Sequence, residues 1–90
     1  MQKLSGKIKI KNSMGLHTRP ATAIVKLLQT TSSEVFFSLG EETVNAKSIL
    51  GILMLAAKKN AVLLVTIEGA DAEETLSRLR DAFDSKFGEK

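Results

Sequence analysis

The sequence predicts an α+β open-faced sandwich: a four-stranded antiparallel sheet covered on one face by three helices, in the order β-α-β-β-α-β-α. Three observations predict it. Short segments alternate apolar and polar residues, the segments between them repeat apolar residues at helical spacing, and each such helix carries one apolar stripe that needs a sheet face to cover it. Ninety residues suffice for one modest core, so positions 1–90 are expected to form a single domain.

Residues 3–11 set Leu4, Ile8 and Ile10 on one side and Lys3, Lys7, Lys9 and Lys11 on the other, as a strand with one wet face requires. After the break Asn12-Ser13-Met14-Gly15, apolar positions Ala21, Ile24, Leu27 and Leu28 predict a helix from about His17 to Gln29, closed by the polar loop 30–33. Val35 to Leu39 is rich in strand formers, and Gly40-Glu41-Glu42 turns it toward Thr43-Val44-Asn45 as a hairpin. Ser48 precedes the run 49–57, whose Leu, Met and Ala content predicts a second helix. Val62 to Ile67 is a short β-branched run ended near Gly69, a central strand. Asp71 with Glu74 three residues on resembles a capping box, and Ala72, Leu76, Leu79, Phe83 and Phe87 mark one face of a last helix ending near Gly88.

Composition excludes several classes of function. Without cysteine, the chain has neither disulfides nor a thiolate metal site, and packing alone must hold it together. Four Phe with no Trp or Tyr leave few stacking platforms for nucleic acid, and Gly-rich base-contacting motifs are absent as well. The N-terminal segment lacks the apolar core of a signal peptide, and Lys58-Lys59-Asn60 splits the apolar runs on either side of it. A cytoplasmic protein without membrane insertion is expected. Residues 1–60 hold nine basic and three acidic side chains, a net +6, whereas residues 61–90 hold four basic and seven acidic, a net −3. The basic part suits an acidic partner or a phosphoryl group.

The only histidine lies in Gly15-Leu16-His17-Thr18-Arg19-Pro20-Ala21, between the first strand and the first helix. Gly15 permits a positive-φ turn, and Pro20 is tolerated because it falls in the first helical turn, where its missing N–H costs nothing. His17 thereby sits at a helix N-terminus. Free N–H groups and the positive end of the helix dipole favour an anion there, and the Arg19 guanidinium adds a charge-assisted donor for phosphate. A neutral imidazole nitrogen is a competent nucleophile. No second His or Cys supports a zinc site, and nothing in the sequence builds a nucleophile-base-orienter triad.

This motif, with Lys47-Ser48-Ile49-Leu50-Gly51 about thirty residues on, resembles the histidine-containing phosphocarrier (HPr) family of the phosphoenolpyruvate-dependent phosphotransferase system. The resemblance spans nearly the whole chain and includes the element order. It implies that His17 accepts a phosphoryl group from enzyme I through Nδ1 and donates it to an enzyme II A-type component, with Arg19 as the phosphate-side guanidinium. The chain is then a stoichiometric, monomeric carrier that needs no cofactor or metal. Ser48 matches the family's regulatory serine, which in many bacteria is phosphorylated by an HPr kinase/phosphorylase. As a plain helix N-cap it needs no modification at all.

Ile49, Leu50, Ile52, Leu53, Met54 and Leu55 cannot all face one sheet, so some are expected at the surface as a docking patch. The resemblance implies that Ile49, Leu50 and Leu53, beside Thr18, Thr22 and Lys26, contact the partners. Met14 departs from the family, many members of which carry a small polar residue there. Asn12 to Gly15 and Leu53 to Ala57 look more like the nitrogen-related branch than the sugar-uptake one. Two rival functions are a regulatory module acting through Ser48, against which the intact His17-Thr18-Arg19-Pro20 argues, and RNA binding, which lacks its motifs.

Overall fold

A computed structural model describes residues 2–89. Strand β1 (Gln2–Lys9) is followed by helix α1 (Thr18–Leu28), strands β2 (Glu34–Leu39) and β3 (Glu42–Asn45), helix α2 (Ile49–Met54), strand β4 (Val62–Gly69) and helix α3 (Ala72–Asp84). The four strands form one antiparallel sheet in the order β1-β4-β2-β3, so β4 is central as its β-branched run requires.

Alternation decides which face of the sheet is covered. Leu63, Val65 and Ile67 of β4, Val35 and Phe37 of β2 and Ile8 of β1 are buried, while Val62, Leu64, Lys7 and Lys9 point to the open face. The helices close over the buried set with Ala21, Ile24 and Leu28 of α1, Ile52 of α2 and Ala72, Leu79 and Phe83 of α3. At the centre Phe83 stands edge-on to Phe37, ring centroids 6.2 Å apart, and to Phe87 at 4.9 Å.

Two of the expected helices end early. The second closes at Met54, not Ala57: Leu55 is its C-cap, and Ala56 takes φ +50°, which no helix continues through. The chain turns there because its next residues are held by the first strand's end. Ala57 carbonyl accepts the Leu16 N–H at 2.9 Å, and Ile10 exchanges backbone bonds with Asn60 and Ala61 at 2.8 and 2.9 Å. The last helix closes at Asp84, and residues 86–88 form a separate 3-10 turn in which Lys86 and Phe87 have positive φ. Phe87 therefore reaches the core from that turn rather than from the α3 face.

The Asp71 capping box does not form, since no side-chain cap bond is made at the start of α3. The Asp71 carboxylate turns instead to the loop after α1. It accepts from the Ser33 hydroxyl, from the Ser32 N–H at 2.9 Å and from the Thr31 hydroxyl at 2.9 Å, and Thr31 also meets Thr75 of α3 at 2.6 Å. This cluster ties α1 to α3. Gly69 allows it, because a Cβ there would lie 2.6 Å from Ser33 Cα.

The Ser33 hydroxyl, followed by the Ser32 N–H, holds the Asp71 carboxyl well below the usual carboxylate range. A depressed native value means stability that is fully present above the unfolded value of about 3.9 and lost as pH falls toward the native one. Asp71→Ala is therefore expected to lower the denaturant midpoint at pH 7, with the gap to wild type narrowing progressively below about pH 4.

Candidate functional site

The site begins with a turn. Gly15 N–H donates to the Asn12 carbonyl at 3.1 Å with Gly15 at φ +66°, and the next residue, Leu16, is buried and bonded to Ala57. A Cβ on Gly15 would lie 2.2 Å from the Ala57 oxygen and 2.9 Å from Lys58 Cα, so both conformation and space demand glycine here. With Gly15 and Leu16 fixed, the following residue must start the helix.

That residue is His17. It is the N-cap of α1, in extended conformation (φ −84°, ψ −168°), and its carbonyl accepts the Ala21 N–H at 3.0 Å. Its imidazole makes no capping bond and is half-buried. Pro20, buried in the first turn, has no N–H to satisfy, and the N–H groups of Thr18 and Arg19 have no acceptor among the described residues. Free ring, free amides and the positive end of the α1 dipole therefore share one end of the helix.

This end opens on a pocket of about 170 Å³ lined by Asn12, Met14, His17, Arg19, Pro20, Lys86, Phe87 and Glu89. Among the described residues two cations and one carboxylate line it, leaving a positive balance suited to an anion. A larger depression of about 440 Å³ lies across the open sheet face, among Lys7, Ser38, Gly40, Val62 and Leu64. It holds neither a histidine nor an arginine. Among the described residues no cluster of His, Cys, Asp or Glu has the makings of a metal site, and no helix is long and apolar enough to cross a membrane.

His17 and Arg19 thus share one pocket, as the sequence suggests. Ser48 stands apart from it as the N-cap of α2, its hydroxyl accepting the Gly51 N–H at 3.0 Å. Thr18, Thr22 and Lys26 are exposed at one-turn spacing on α1, which packs against α2. On α2, Leu50 is 67% exposed and Ile49 39%, while Leu53 is half-buried. Met54 (67%) and Met14 (73%) are exposed as well and extend the apolar surface beyond the residues expected to dock.

The C-terminal wall of the pocket was not legible in the sequence. Asn12 is buried and donates through Nδ2 to the Lys86 carbonyl at 2.9 Å, and Glu89 accepts from the Ser13 N–H and hydroxyl at 3.0 Å each. Those two donors hold the Glu89 carboxyl below its ordinary value. No periodicity marks these residues, because they follow the last helix and meet the first loop only in three dimensions.

The comparisons with known proteins match the chain over most of its length. The family model for the PTS HPr component phosphorylation site covers residues 4–85. The chain belongs to the HPr family. The phosphocarrier protein HPr of Chlamydia pneumoniae is 45% identical over 80 residues, covering 89% of this chain and 74% of that protein. The crystal structure of HPr-C-His from Thermoanaerobacter tengcongensis superposes with a TM-score of 0.89 at 40% identity, covering 100% of this chain and 99% of its own. An HPr dimer from the same organism gives a TM-score of 0.77 at 43% identity, covering 91% and 94% of the two chains.

Gly15→Ala forces a side chain into the Ala57 carbonyl at positive φ, and a loss of about 1–3 kcal/mol in chemical-denaturation stability is expected.

Proposed function

We propose that this chain is a stoichiometric phosphoryl carrier. His17 takes the group from phosphorylated enzyme I on its Nδ1 atom and passes it to an enzyme II A-type component. The observation that carries this reading is the placement of an uncapped imidazole at the α1 N-terminus beside unpaired amides and Arg19. Family membership supports it.

The chemistry follows from the site. The Nδ1 lone pair attacks phosphorus as the bond from phosphorus to enzyme I breaks, and the proton that the His17 ring sheds goes to the group released. The Thr18 and Arg19 amides and the Arg19 guanidinium offset the charge of the new phosphoryl oxygens. Met14, an apolar wall, adds no donor, so these backbone and guanidinium groups hold the phosphate. Imidazole is a good leaving group once protonated, and the same site then serves donation.

Partners dock across Thr18, Thr22 and Lys26 of α1 and Ile49, Leu50 and Leu53 of α2, one partner at a time on a single-domain, cytoplasmic, monomeric chain. A small, quickly released interface fits a relay. Ser48 adds a control point for an HPr kinase/phosphorylase: a phosphate there places roughly two negative charges beside the docking surface, repelling an acidic partner.

Incubation with phosphoenolpyruvate and enzyme I is expected to put acid-labile, base-stable phosphate on the wild-type chain and none on His17→Ala. Arg19→Ala should still load, with transfer slowed about tenfold or more, as loss of a charge-assisted bond implies. Such phosphate on His17→Ala would end the proposal. Ser48→Asp keeps a capping side chain and should leave thermal stability within about 0.5 kcal/mol of wild type. Titration calorimetry should show weaker enzyme I binding for that variant, and unchanged affinity would remove the regulatory role.

A further inference from the structure

Among the described residues, Glu89 supplies the one carboxylate lining the His17 pocket, together with Arg19 and Lys86. It is fixed there rather than free to swing away. The Ser13 N–H and hydroxyl both hold one of its oxygens at 3.0 Å, and Asn12, buried one residue earlier, holds the Lys86 carbonyl of the same turn. Lys86 and Phe87 both adopt positive φ in that turn, and Phe87 is seated on Phe83. Loop 12–14 and turn 86–89 therefore form one closed wall with a negative charge built into it. A pocket meant only to bind an anion has no use for that charge.

We propose that Glu89 is a positioning residue that sets the transfer potential of the phosphoryl group on His17 through charge, without contact. The proposal rests on the carrier reading above. As the P–N bond forms on His17 the bond from phosphorus to enzyme I breaks, and the proton that the His17 ring sheds goes to the group released. For a given donor, the surroundings of the phosphoryl group on His17 shift the position of equilibrium. Arg19, Lys86 and the α1 amides favour the loaded form, and the fixed Glu89 carboxylate opposes it by like-charge repulsion. The opposition keeps the phosphohistidine ready to give up its group to the next protein.

The test measures the phosphoryl-exchange equilibrium of the full chain with enzyme I, phosphoenolpyruvate and pyruvate, by phosphorus NMR, for wild type, Glu89→Gln and Glu89→Ala. Glutamine keeps an oxygen acceptor for both Ser13 donors, so Glu89→Gln removes the charge and leaves the wall closed. Both variants are expected to shift the equilibrium toward phosphorylated His17 by about three- to tenfold at low salt. The shift should shrink as ionic strength rises toward about 1 M. A Glu89→Gln equilibrium equal to wild type, or a change confined to Glu89→Ala, would make Glu89 a structural clip and overturn the proposal. Wild type that takes no phosphate overturns the carrier reading and this inference together, whereas normal loading with an unmoved Glu89→Gln overturns this inference alone.

Discussion

The backbone bond from Leu16 to Ala57, with the bare Cα of Gly15 pressed against that carbonyl, is the constraint on which the site depends. It joins the loop before α1 to the loop after α2, and it fixes the residue at which α1 begins. A helix that started one residue later would make Thr18 the N-cap and leave His17 outside the helix end. The His17 ring is placed by backbone geometry, and the side chain is left free of any capping duty. That freedom suits a nucleophile, since a ring already committed to a cap would have to break that bond before attacking.

The same bond explains features that look unrelated. Ala57 must stand under Leu16, so α2 stops at Met54 and the chain reverses through Ala56 at positive φ. The short α2 cannot bury all its apolar residues, and Leu50 and Met54 are left outside next to α1. One local constraint thus yields both the position of His17 and an apolar surface near it. At the other end of α1 the Asp71 cluster does comparable work, anchoring loop 31–33 to the start of α3.

Much of this was legible in the chain. Alternation in β1 and β4 and the stripe of α1 follow from periodicity, because burial on one face leaves a regular trace. Gly15, His17, Arg19 and Pro20 could be read in place because they are consecutive and their physical needs are local. What escaped was non-local. Asp71 looked like a cap because three residues separate it from Glu74, yet its carboxylate found Thr31, Ser32 and Ser33, about forty positions away, and those donors outcompete the helix end. The ends of α2 and α3 are set by tertiary bonds to Leu16 and Asn12, not by propensity. Glu89 and Asn12 carry no signature at all, and their part in the pocket depends wholly on a turn that follows the last helix.

The central claim is that the free amides at the start of α1 hold the phosphoryl group on His17. It is tested most directly by nitrogen-edited NMR of the chain, labelled with nitrogen-15, before and after loading with enzyme I and phosphoenolpyruvate. The account predicts phosphorus coupling to Nδ1 of His17 together with large downfield shifts of the Thr18 and Arg19 amide protons, while amides at the far end of α1 stay in place. Phosphorus coupled to any other side chain, or Thr18 and Arg19 amides that do not move on loading, would contradict it.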